Sequence, residues 1–152
     1  MSMSTRSDDG GAERESLARR LERQIADLEA RHRIGPGTYC GLTPEEMSRA
    51  VVACHGGPHR PGDPVGFWPG VSEEAREAAL REAFGPGADV ERLRVMVQFF
   101  DHRLAKTLAV DWALPSAEFD RAVWEGLERH VPELSADARR VIAGQFSYSH
   151  AK

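Results

Sequence analysis

The chain contains no asparagine, and its only lysines are Lys106 and Lys152. Cys40 and Cys54 are its only cysteines. Two cysteines can close one disulfide at most, so a disulfide-stapled scaffold is excluded. The expectation is a cytoplasmic protein with reduced thiols. No apolar run is long enough to span a bilayer. Residues 1–11 are polar and acidic without an apolar centre, unlike a secretory signal. Also missing are a phosphate-binding glycine fingerprint after a strand, a nucleophile elbow, a His-Glu-x-x-His pair and an EF-hand loop. No internal repeat and no sustained alternating strand pattern occurs. The scarcity of lysine, asparagine and isoleucine beside abundant alanine, arginine, glycine and glutamate reflects the codon supply of a high-GC genome. Individual arginines therefore carry little functional information.

What is present fits an ordinary folded chain. With 152 residues, a core of useful size can form. Hydrophobic residues make up 41% and charged residues 29%, within the range of globular proteins. A formal net charge of −4 argues against general nucleic-acid binding, which needs clustered cations.

The pattern predicts a disordered tail over 1–11 and one helical domain over 12–152. Its first helix is expected over 12–33, with Ala18, Leu21, Ile25 and Leu28 on one seam and Leu17 beside it. That is a two-heptad coiled-coil-like pattern. So short a helix is marginal alone in water and needs a surface to pack on. The candidate surfaces are its own domain or a second copy.

The second helix opens with Thr43 as N-cap, Pro44 at the first position and Glu46 three residues after the cap, which is a capping box. It buries Met47, Ala50, Val51 and Cys54 and ends at Gly56-Gly57-Pro58. Residues 56–71 form a long Gly/Pro-rich loop that carries His59, Phe67 and Trp68. Ser72 caps a third helix and Asp89 a fourth, expected to run to Asp111. Pro115-Ser116 opens a fifth with Phe119, Val123 and Leu127 inside. Ser135 caps a sixth. The fold class read from this is all-α, a single-domain bundle of about six helices.

Several residue groups invite a chemical reading. Cys54, His55 and His59 are zinc-type ligands, so zinc or another transition metal is one candidate occupant of the loop. Their spacing fits poorly, because adjacent residues on a helix point about 100° apart. Cys40 lies just before a helix N-terminus, where a thiolate is favoured, whereas Cys54 ends a helix, where it is not. His102 shares a helix face with Gln98 and Lys106. That face is a proton-carrying site if it lines a pocket and a solvated strip if it does not. No cofactor motif is present. Phe67 and Trp68 either plug the bundle or anchor a partner.

The sequence therefore favours a binding protein over an enzyme: an adaptor, regulator or neutralising partner that meets a protein or itself. Leu21, Ile25, Leu28, Phe67 and Trp68 are its candidate contacts. The alternative is a small enzyme or a metal- or ligand-binding protein with a site near Cys54, His55 and His59.

Overall fold

The computed structural model describes residues 2–56 and 65–151. Among these it contains six helices: α1 (Ser2–Arg31), α2 (Pro44–His55), α3 (Glu73–Phe84), α4 (Val90–Leu108), α5 (Ser116–His130) and α6 (Ala136–Ala151). The fold is all-α. The extended pairing among the described residues is one isolated antiparallel bridge between Gly56 and Phe67. The chain divides into two compact units, Met1–Ile34 and Gly35–Lys152.

The first unit is α1. It begins at Ser2. At the other end His32 N donates to Leu28 O (3.0 Å), and Ile34 N donates to Glu29 O (2.8 Å). Arg33 takes the left-handed conformation at φ 54°. This is the closure that satisfies the last carbonyls of a helix.

The second unit closes its own core. Phe100, Phe119, Met47, Leu80, Met96, Leu127 and Ile142 are its largest fully buried side chains. α2 packs against α3, α6 and α4; α5 packs against α6 and α4; α3 also meets α4. The starts of α2, α3, α4 and α6 follow from local sequence. Thr43 Oγ1 accepts from Glu46 N (3.1 Å) while Glu46 Oε1 accepts from Thr43 N (3.0 Å), the reciprocal capping box. Ser72 Oγ accepts from Ala75 N, Asp89 Oδ1 from Arg92 N and Ser135 Oγ from Ala138 N. α5 buries the expected stripe, Phe119, Val123 and Leu127. α4 stops at Leu108 rather than near Asp111. Ala109 turns left-handed at φ 45°, and Asp111 then accepts from Ala113 N to form a turn.

Polar ties fix how the helices meet. Ser48, buried on α2, donates to Pro44 O and accepts from Ser135 N (2.9 Å), which joins α2 to the start of α6. Tyr39 stacks on Phe100 with centroids 6.0 Å apart and donates to Glu133 Oε2 (2.7 Å). Burial first, and the Glu133 carboxylate second, hold the Tyr39 hydroxyl well above the usual tyrosine range. Arg94 bridges α4 to α3 through Glu73 (2.9 Å) and Glu77 (3.6 Å).

Candidate functional site

α2 ends at His55 because Gly56 follows. A Cβ at position 56 would lie 2.7 Å from Val52 O, so the chain passes there only as glycine. It leaves in extended form. Gly56 bridges to Phe67, and Trp68 N donates to His55 O (2.9 Å). The two ends of the segment after α2 are thus pinned together at the helix terminus.

The His55 side chain turns inward. Its Nε2 lies 2.7 Å from Asp101 Oδ2, in the middle of α4. The two side chains are only 13% and 24% exposed. The Phe67 ring covers His55 at 6.5 Å and meets Tyr148 at 5.6 Å. A histidine bonded to a carboxylate is fixed in orientation and tautomer, the form a proton carrier needs. Asp101 also borders a small cavity of about 190 Å³ with Leu104, Trp112, Gln145, Phe146 and Ser149.

The cysteines have different surroundings. Cys54 is buried against the core, and burial together with the nearby Asp101 carboxylate pushes its thiol up to about 12. Such a thiol is a poor nucleophile near neutral pH. The Arg76 guanidinium binds the Cys54 carbonyl (Nε to O, 3.0 Å) rather than the sulfur. Cys40 is fully buried in a left-handed turn at φ 57°. Arg103 donates to Cys40 Sγ (3.3 Å) and to the carbonyls of Gly35 and Gly37. Cys40 is therefore part of a loop clamp, and neither cysteine is in a disulfide.

The remaining candidates separate. His59 lies outside the described residues, as does the rest of 57–64 in the Gly/Pro-rich loop. Among the described residues no three of His, Cys, Asp and Glu are grouped to hold a metal ion. His102 is exposed together with Gln98 and Lys106, as a solvated strip is. Phe67 and Trp68 point apart: Phe67 packs on His55 and Tyr148, whereas Trp68 is 51% exposed. On α1, Leu17, Leu21, Ile25 and Leu28 are all exposed, at 55%, 51%, 39% and 36%. No helix among the described residues is long and apolar enough to cross a membrane.

A second concavity follows α2 on its α3 side. It encloses about 1280 Å³ between α2, α3 and the start of α6. Alanines 75, 78 and 79 of α3, Ser48 and Val52 of α2 and Ser135 border it. Glu45, Glu82, Glu133 and Asp137 also border it. Sequence reading did not find this groove or the Asp101 partner of His55. Asp101 did carry a signal: it lies four residues after Val97 and three before Leu104, both buried, so it borders the inner face of α4. The groove has only the i, i+3, i+4 alanine row of α3 to announce it. No family model, curated protein or solved structure matches the chain.

Proposed function

We propose that this protein works through protein–protein contacts, as an adaptor, regulator or neutralising partner, with α1 as its contact element. The observation that carries the proposal is the exposed stripe Leu17–Leu21–Ile25–Leu28 on a helix that forms a unit of its own. Covering apolar surface is favourable by about 25 cal/mol per Å². The buried core side chains, Phe100, Phe119, Met47, Leu80 and Met96 among them, all belong to Gly35–Lys152.

The test compares the full chain with the Leu21→Glu/Ile25→Glu variant, each purified from its own cell, by native mass spectrometry and sedimentation velocity. The expected result is a bound protein chain, its own or another, on the wild type and absent from the variant, with denaturant unfolding of the core unchanged. A wild type free of any bound chain by both methods overturns the proposal.

The partly buried His55–Asp101 pair favours a second reading, a small ligand-binding protein or enzyme with its site at the end of α2. It supplies an oriented proton carrier next to a cavity bordered by Asp101. Screening a small-molecule library by the NMR shifts of the His55 ring tests it. A ring that no compound shifts removes it.

A further inference from the structure

We infer that the cavity beside Asp101 is a binding site for a small primary amine, held as its ammonium ion. The inference rests on the reading in which the His55–Asp101 pair serves a small-molecule site, and it names the ligand class.

The cavity lies within Gly35–Lys152, between α4, the turn that follows it and α6. Its volume is about 190 Å³. At about 30 Å³ for each water it displaces, that is room for roughly six heavy atoms. Leu104, Phe146 and Trp112 supply apolar walls. Phe119, Phe146 and His150 hold the Trp112 ring, with centroids 4.9, 6.0 and 6.2 Å away. The ring is nevertheless 51% exposed. A fixed, half-open indole beside a cavity can pack an alkyl chain and attract a cation.

The polar border selects the head group. Asp101, Gln145 and Ser149 bring a carboxylate, a carboxamide and a hydroxyl, and each carries an oxygen that accepts hydrogen bonds. An alkylammonium has three N–H donors and no acceptor, which complements that set. Asp101 is the one charged residue among the described residues that border the cavity. His55 engages it through Oδ2, which leaves Oδ1 for a second donor.

The cations around Asp101 are committed elsewhere. Arg76 donates to the Cys54 carbonyl, Arg94 pairs with Glu73 and Glu77, and Arg103 clamps the carbonyls of Gly35 and Gly37. His150 Nε2 lies 2.9 Å from Leu114 O, and its ring stacks on Phe119 at 4.0 Å. His102 and Lys106 each follow a bordering residue of α4, so they project about 100° away from it, and both are exposed. Asp111, next to Trp112, adds a second carboxylate nearby and accepts Ala113 N.

Other ligand classes fit less well. An anion would meet the Asp101 carboxylate with no bordering cation to hold it. A metal ion needs several oxygen or nitrogen ligands, and among the described residues no three of His, Cys, Asp and Glu are grouped to supply them. A neutral alcohol would fill the apolar part but leave the carboxylate without a counter-charge.

The experiment titrates the full chain with n-pentylammonium, using n-pentanol and pentanoate as neutral and anionic controls of similar length. The readout is the NMR signals of the Trp112 indole N–H, the Gln145 carboxamide and the His55 ring. Pentylammonium is expected to shift all three saturably and pentanoate none. It should bind more tightly than pentanol by on the order of tenfold, as a charge-assisted hydrogen bond does relative to a neutral one. Asp101→Asn keeps an oxygen for His55 but no charge, so the preference for amine over alcohol should collapse toward unity. Gln145→Met removes one acceptor at similar size and leaves the His55–Asp101 bond untouched. It should weaken the amine several-fold more than the alcohol, and it carries the test should Asp101→Asn alter the circular dichroism. Equal affinity for amine and alcohol overturns the inference, as does a preference that survives both substitutions. If another compound shifts the His55 ring while pentylammonium shifts none of the three signals, the small-molecule reading stands and the amine assignment falls.

Discussion

His55 Nε2 lies 2.7 Å from Asp101 Oδ2, joining the last residue of α2 to the middle of α4 across 46 positions of sequence. The same residue accepts Trp68 N–H at its backbone carbonyl and carries Phe67 on its ring. One side-chain bond therefore sets the position of the chain segment that returns to the bundle. Asp101→Ala leaves the mostly buried imidazole N–H without its acceptor, at a cost of about 1–3 kcal/mol. Asp101→Asn keeps an oxygen in reach of Nε2 and should cost clearly less. Urea unfolding of the two variants gives both values, and equal losses would show that the bond contributes little. Amide exchange at Trp68 should quicken in Asp101→Ala and stay near wild type in Asp101→Asn.

Phe67 is held against α6 by the absence of one methyl group. A Cβ at Gly144 would stand 2.8 Å from Phe67 Cβ, an atom fixed to its backbone. A Cβ at Gly126 would stand 2.7 Å from Leu108 Cδ2, the free end of a flexible side chain. Both glycines are helical, and replacing either by alanine gains about 1 kcal/mol of helix propensity. Leu108 can rotate aside, so Gly126→Ala should be neutral or mildly stabilising. Phe67 cannot move without its backbone, so Gly144→Ala should be net destabilising and should shift the NMR signals of Phe67 and Tyr148. Thermal midpoints of the two variants should therefore move apart, and a common direction would contradict the packing described for Phe67.

What could be read from the sequence was local. Thr43, Ser72, Asp89 and Ser135 each cap the helix assigned to them, because a cap bonds a backbone N–H three residues on and needs no distant partner. The inner stripe of α5 followed from helical period alone. The His55–Asp101 bond depends on α2 crossing α4, and the groove depends on α2, α3 and α6 meeting, so neither has a signature within one helix. The end of α4 was misplaced because Ala109 adopts a left-handed conformation that side chains usually avoid. The opposite directions of Phe67 and Trp68 were accessible in principle. Successive side chains of extended backbone point to opposite faces, so an inward Phe67 requires an outward Trp68.

The capping box of α2 makes part of the stability depend on acid. The hydrogen bond from the Thr43 backbone N–H, followed by that of its side chain, holds the Glu46 carboxyl below its ordinary value. A carboxyl lowered on folding contributes stability above its unfolded pKa, and that contribution is lost as pH falls through the folded value. The window therefore lies at and below the ordinary glutamate value of about 4.3. Glu46→Gln retains an oxygen for Thr43 N–H but cannot titrate, so its stability should fall less steeply than wild type across that window. Thr43→Ala removes the other half of the box and should cost about 0.5–2 kcal/mol at neutral pH. Urea midpoints measured from neutral pH into the acid range separate the two effects: Thr43→Ala lowers the whole curve, while Glu46→Gln flattens its acid limb. Equal acid slopes in wild type and Glu46→Gln would mean that the Thr43–Glu46 bond does not distinguish the charged carboxylate from the neutral acid.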